Sequence, residues 1–300
     1  MISRFKYQIL LHLIIFMWGF TGILGKLIKL DAFYIVWHRV LIAFIALVII
    51  MVALKIPLII KNKVRLFQIS IIGIIVGLHW LTFYLSIQLS TASLGILCLS
   101  TTTIHVAWLE PIVMKRKFSW VEMVLSLTVV FGIYFVSTDF SGNDYLALAL
   151  GLTSALLAAI FAVFNAKFVK DTSPANISLY EMGAAVLFLS VVLLFQGRLN
   201  SELFQMTLSD LLWLLFLGVL CTSFAFLATI EVVKKLGAFT VSLSINLEPV
   251  YTIILAVIIL KEHKLLNINF YIGSAVIVFI VLLNALLKSA WFKNKLIPKA

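Results

Sequence analysis

The sequence predicts an all-α integral membrane protein of ten transmembrane helices, arranged as two inverted five-helix repeats. Three observations lead there: composition, the length of the apolar runs, and an internal similarity between the two halves. Hydrophobic residues make up 63% of the 300 positions and charged residues 12%, with a mean hydropathy of +1.18. A soluble domain carries about 25% charged residues and 45–50% apolar ones. No single soluble core hides so much apolar surface.

A spanning helix needs roughly 20 apolar residues, because the hydrocarbon layer is about 30 Å thick. Ten segments meet that length: 8–28, 33–54, 66–89, 91–114, 119–138, 145–169, 176–196, 207–233, 237–260 and 267–288. The first is too long for a signal peptide and lacks a small-residue cleavage site, so it reads as a retained span. Connections are short, with no inserted soluble domain. Cys98 and Cys221 sit inside apolar runs without metal or redox spacing and read as small hydrophobes.

The net charge of +11 follows membrane orientation rather than nucleic-acid binding. If the N-terminus is cytoplasmic, roughly seventeen Lys and Arg fall on that side and five on the other. The expected location is the inner (cytoplasmic) membrane, multi-pass, with both termini cytoplasmic.

Five spans is an odd number, so a second set of five that repeats the first is inverted in the membrane. At a shift of about 146 residues, "GLHWLTFYLSIQLSTAS" (77–93) lies over "SFAFLATIEVVKKLGAF" (223–239). The same shift lays "RKFSWVEMVLSLTVVFGIYFV" (116–136) over "EHKLLNINFYIGSAVIVFIVL" (262–282). The expected units are residues 1–140 and 141–300, the second with a short basic tail.

Polar residues at depth mark candidate sites, since a charge at the bilayer centre costs at least about 2.5–3.5 kcal/mol. In "SINLEPVYT" (244–252), Glu248 falls near the midplane of the ninth span. Thr240, Ser244, Glu248, Tyr251 and Thr252 share one helical stripe. Asn246 lies beside it, and Pro249 removes a backbone donor and frees a carbonyl near Ile245. This pattern points to a substrate or ion site at a broken helix. Two structural readings stand beside it: a pair with a base such as Arg39, or a neutral acid, because burial disfavours the charged form.

His79 and His105 lie at similar depth, and His79, Thr82, Ser86 and Ser90 share a stripe. Each histidine reads either as a proton relay or as a structural hydrogen-bonder. Trp18, Trp80 and Trp108 lie inside their spans rather than at the interface, where they can wall an organic substrate. Thr21 follows Trp18 on the first span, among Gly19, Gly22 and Gly25, which read as close-packing positions with a hinge option. Arg39 and Glu181 occupy related positions in the two halves with opposite charge. They read as gates or charge partners, or as side chains that snorkel to an interface. Glu110, before Lys115, Arg116 and Lys117, reads as an interfacial ion pair or a gating charge.

Across nearly its whole length the chain resembles the EamA-type ten-span exporters of the drug/metabolite transporter superfamily. The likeness rests on "WGFTGILGK" (18–26), "WHRVLIAF" (37–44), "TASLGILCLSTTTIHVAWLEPIVMKRKFSW" (91–120) and "GAFTVSLSINLEPVYTIILAVIILKEH" (237–263). In the last, Pro249 and Glu262 stand at the family's spacing. The first repeat departs from it, with Thr103 and Arg116 at those places and its own "LEP" at 109–111.

The resemblance implies secondary transport, in the export direction, of amino acids or related small metabolites by alternating access. A coupling proton, a counter-solute and a homodimer all remain open. No cofactor, metal or nucleic acid is expected, and no enzyme activity. G-x-x-x-x-G-K-[ST], H-E-x-x-H and G-x-S-x-G are all absent from the sequence. An intramembrane enzyme acting on a lipid-linked substrate, and a non-transporting scaffold, are the alternative classes.

Overall fold

The computed structural model describes residues 2–115, 117–138, 140, 142–236, 241, 244–245 and 247–287. All regular structure among them is helical. The first half holds α1 (Ile2–Leu27), α2 (Ala32–Ala53), α3 (Lys63–Leu89), α4 (Ala92–Ser100), α5 (Thr102–Met114), α6 (Trp120–Leu127) and α7 (Val129–Val136). The second holds α8 (Asn143–Phe168), α9 (Pro174–Phe195), α10 (Leu208–Leu215), α11 (Ala225–Leu236), α12 (Glu248–Leu255) and α13 (Ile268–Leu287). A π-helical stretch, Phe216–Phe224, joins α10 to α11, and a second, Ala256–Leu260, extends α12.

Among the described residues, seven helical stretches are long and apolar enough to cross a membrane. They match the predicted segments one to four and six to eight, with α4 and α5 forming one stretch through Thr101. The other three predicted spans differ from one another. The fifth divides at Thr128 into α6 and α7. The ninth is helical over Glu248–Leu260, with much of its earlier part outside the described residues. The tenth forms α13, a continuous helix of 20 residues. An apolar run sets the length available to a helix; it does not force that helix to stay unbroken.

Local signals set the helix starts. Asp31 accepts from the Phe33 amide at 2.9 Å, Asn62 from Arg65 at 3.0 Å and Thr91 from Leu94 at 3.0 Å. Thr207 and Asp210 form a reciprocal capping box on α10. Large apolar side chains such as Val64, Phe67 and Ile71 point outward along α3, and Leu187, Val191 and Leu194 along α9. Water would penalise such surfaces, whereas lipid accepts them.

The helices approach closely through small residues, as expected where lipid removes most of the hydrophobic drive for association. α3 is central and packs on α8, α9, α2, α1 and α4. A Cβ on Gly73 would lie 2.5 Å from the Glu181 carbonyl, so α3 and α9 meet backbone to backbone there. Gly132 of α7 and Gly273 of α13 make the same kind of contact, with the second Cβ position 2.5 Å from the Gly132 carbonyl. A smaller core of Leu94, Leu97, Val129, Ile133, Phe270 and Ile277 surrounds that contact.

Polar staples close the two ends. Where α1 ends and α4 begins, Glu262 is 2% exposed and its carboxylate accepts from the Ala92 amide at 2.8 Å and the Ser93 amide at 3.1 Å. The Ser93 hydroxyl adds a third bond at 2.6 Å. A residue of the second half therefore caps a helix of the first, where the helix dipole favours negative charge. Gln88 holds the α1–α2 turn through the Ala32 amide and the Leu30 carbonyl. At the opposite end Arg65 pairs with Asp171, and its guanidinium lies 4.6 Å from the Phe168 ring centre. Hydrogen bonds from Thr172 and Arg65 hold the Asp171 carboxyl below the usual carboxylate range.

Two outcomes follow. Glu262→Ala should destabilise the protein by about 2–4 kcal/mol, because it orphans buried amides at a helix start; Glu262→Gln should recover part of this in thermal unfolding in detergent. Asp171 titrates below its unfolded value, so its contribution is complete at neutral pH and is lost as pH falls through the depressed value. Asp171→Asn should therefore flatten the acid limb of a stability–pH profile below about pH 4 and leave the rest of that limb unchanged.

Candidate functional site

Arg39 lies on α2 and is 4% exposed. Its Nε–H donates to Thr222 Oγ1 at 3.1 Å and Nη1 to the Tyr84 hydroxyl at 3.4 Å. The guanidinium stacks on Trp80, 3.8 Å from the ring centre. Arginine suits this setting: a planar, weakly hydrated cation satisfies hydrogen bonds in its plane and an aromatic ring above it. The reading of Arg39 as a snorkelling side chain is thus corrected, since all of these partners hold it inside the bundle.

The π-helical stretch supplies one of those partners. Thr222 donates to the Leu217 carbonyl at 2.8 Å, five residues back. Ser223 does the same to Gly218 at 3.0 Å and also reaches Ala43 of α2 at 3.1 Å. Stretches of this kind occur often at functional sites. The apolar pattern of 207–233 gave no sign of it, so Thr222 escaped the sequence reading.

Glu248 opens α12, with Pro249 in the first turn, a position that tolerates its missing N–H. The expected mid-span break is thus a helix start in the described residues. The Leu247 amide donates to the Ser244 carbonyl at 3.0 Å just before it. Asn246 lies outside the described residues. The Glu248 side chain is half-buried and accepts no hydrogen bond from any described residue. It interacts through space with Arg39, yet no direct ion pair joins the two. The two opposite charges come from different halves and interact without direct contact.

α1 fixes α12 in place. A Cβ on Gly19 would lie 3.1 Å from Thr252 Oγ1, 3.2 Å from Tyr251 Cβ and 3.3 Å from the Glu248 carbonyl. Thr252 donates to the Gly19 carbonyl at 2.9 Å. Tyr251 points its hydroxyl at His12 Nδ1, 2.9 Å away, and sets its ring against Phe16. Thr21 is buried, donates to the Trp18 carbonyl at 2.7 Å and offers its own carbonyl to Tyr84 at 3.3 Å. Trp18 packs on Phe226 with ring centres 6.2 Å apart. Trp18, Thr21, Trp80, Tyr84, Arg39 and Glu248 thus belong to one interior region formed by α1, α2, α3, α11 and α12.

The other predicted residues lie around or away from this region. His79 is buried on α3 and tied to α8: the Ser154 hydroxyl donates to its carbonyl at 2.9 Å, and Nδ1 lies 3.0 Å from the Ser154 carbonyl. His105 is half-buried on α5, near Trp108, which is 36% exposed and faces outward rather than into the centre. Glu110 is half-buried on the same helix. Glu181 is 1% exposed, so it does not snorkel, and its side-chain neighbour is Asn165. Arg39 and Glu181 are not partners of each other. Among the described residues no cluster of three His, Cys, Asp or Glu could hold a metal.

Comparison with known proteins assigns this architecture. The EamA-like transporter family matches residues 5–138 and again residues 145–286. The chain belongs to the EamA-like transporter family. Membership makes it a multi-pass membrane transporter rather than an enzyme, built from two copies of one family unit. A curated relative, "Uncharacterized transporter YyaM" of Bacillus subtilis (strain 168), is 24% identical over 233 residues, 74% of this chain and 73% of the relative. A solved crystal structure superposes with a TM-score of 0.66 at 14% identity, covering 94% of this chain and 98% of the other. At that identity the likeness concerns the fold alone.

The tight α1–α12 contact gives a further expectation. Gly19→Leu should overpack it by about 1–3 kcal/mol and abolish transport in proteoliposomes, while Gly19→Ala keeps most of both stability and rate.

Proposed function

We propose that this EamA-family protein is a secondary transporter that exports small organic metabolites, amino acids or related compounds, across the cytoplasmic membrane by alternating access. The moving parts are two inverted five-helix units, residues 1–140 and 141–300, with both termini cytoplasmic. The substrate site is the region between Arg39 and Glu248. One observation carries this reading: a guanidinium from the first half and a carboxylate from the second interact through space, with no ion pair closing the gap between them. A zwitterion bridges such a gap, its carboxylate toward Arg39 and its ammonium toward Glu248. Trp18, Trp80 and Tyr251 supply walls, while Ser244, Pro249 and Thr21 frame the rim; Asn246 stays a candidate from the sequence alone, outside the described residues. A ligand that touches both halves senses their relative movement, which alternating access requires. The exposed apolar surface and the basic bias of the cytoplasmic segments support the placement in the membrane.

The test is counterflow of labelled amino acids in proteoliposomes. Glu248→Gln should lower the rate at least about tenfold for amino acids, by removing the ammonium's partner. It should affect a carboxylate without an amine far less. Equal rates for wild type and Glu248→Gln across the whole pool would move the substrate site elsewhere.

A further inference from the structure

Glu181 and Glu248, both of the second half, stand in opposite electrostatic settings. Glu248 has Arg39 as a counter-charge. Glu181, on α9, is 1% exposed, and its Oε1 has no hydrogen-bond partner. Its side-chain neighbour is Asn165 of α8, whose Oδ1 is also buried and unpartnered. Two acceptor oxygens without donors therefore occur on one carboxyl–amide pair. Buried polar groups are nearly always bonded, and each orphan costs roughly 1–3 kcal/mol.

Among the described residues the surrounding helices offer no cation to answer them. α3 presents Gly73 against the Glu181 backbone, and Phe44 of α2 packs on Gly183. On those helices Arg39 is held by Thr222 and Tyr84, His38 bonds the Tyr34 carbonyl, His79 is tied to Ser154, and Arg65 pairs with Asp171. Lys63 and Lys167, on α3 and α8, are exposed, as are Glu231 and Lys235 on α11. No charged group among the described residues engages the Glu181 carboxylate. A lone ionised carboxylate in that place would be an uncompensated buried charge.

One proton resolves all of this. A carboxylic acid and a primary amide pair reciprocally: the acid O–H donates to the amide oxygen, and the amide N–H donates to the acid carbonyl. With the proton on Glu181, Oε1 gains a hydrogen to give and Asn165 Oδ1 gains a donor. Charge and hydrogen bonds then balance together.

We propose that Glu181 and Asn165 form a proton-binding site, separate from the Arg39–Glu248 region, through which transport is coupled to the proton gradient. The proton is held while α3, α8 and α9 are packed together, and leaves to water as a hydronium when their movement opens the pair. The backbone contact at Gly73 makes this packing sensitive to helix displacement. The coupling role rests on the transporter reading above; the bound proton does not.

The experiment has two arms, on wild type and Glu181→Gln, a variant that retains the neutral pairing with Asn165. In infrared spectra of reconstituted protein at neutral pH, wild type should show a protonated-carboxyl C=O band that Glu181→Gln lacks. Asn165→Leu should shift that band, as the amide donor to the acid carbonyl is lost. In proteoliposomes with a lumen one pH unit more acid than outside, wild type should accumulate labelled amino acids up to about tenfold. Glu181→Gln should exchange them at equal pH on both sides yet fail to accumulate them under the gradient. Gradient-driven accumulation by Glu181→Gln at the wild-type level overturns the coupling role. Identical carboxyl bands in the two proteins, or a sodium-dependent rise in thermal midpoint specific to wild type, overturn the proton site itself. Absence of exchange by wild type would count against the transport reading, and the infrared arm would still decide the proton.

Discussion

A buried guanidinium organises the centre of this protein. Arg39 carries a full charge at a place where solvent is excluded, and an unpaired charge there would undo the fold. Thr222 from the π-helical stretch and Tyr84 and Trp80 from α3 meet it from two different helical stretches. The π-helical turn around Thr222, the register of α3 and the position of α2 are all tied to this one cation. Tyr84 extends the network to α1 through the Thr21 carbonyl. The Arg39 partners come from both halves, so they also constrain how the halves sit against each other.

Glu248 gains its meaning from that arrangement. A carboxylate at this depth near a satisfied arginine has a counter-charge at a distance and no hydrogen-bond partner among the described residues. It is neither a closed ion pair nor an isolated charge. Glycines on α1 let α12 come close enough for backbone and side-chain contacts, which fixes where the carboxylate starts its helix. Small residues and charged residues thus serve one geometry, the first by allowing approach and the second by using the space that remains. Glu262 shows the contrasting case: its carboxylate is fully used by the start of α4 and is a structural cap rather than a free ligand group.

Much of the candidate site was legible in the residues themselves. Arg39, Trp80, Trp18 and Glu248 stand out because polar and indole groups at depth are costly without a purpose. Their proximity was not legible, because it depends on which helices pack side by side. Arg39 and Glu181 looked like related partners from their positions in the two halves, yet burial gives each different neighbours. Thr222 and Tyr84 looked ordinary in sequence, as hydroxyl groups in apolar runs commonly bond their own helix. Glu262 stood at a family spacing, but its role as a cap appears only when the start of α4 is placed beside it.

The sequence by itself determined the class of protein. Apolar runs of spanning length, scarce charge and a repeat with an odd number of segments leave little choice, since backbone polar groups in lipid must be satisfied within helices. The tertiary structure decided how continuous those helices are, with breaks at Thr128 and π-helical stretches before α11 and after α12. It also decided which buried charges have partners. Among the described residues Glu248 has Arg39 as a counter-charge and Glu181 meets an amide, because counter-charges in a helical bundle are supplied by neighbouring helices, and helix neighbours are set by packing rather than by order along the chain.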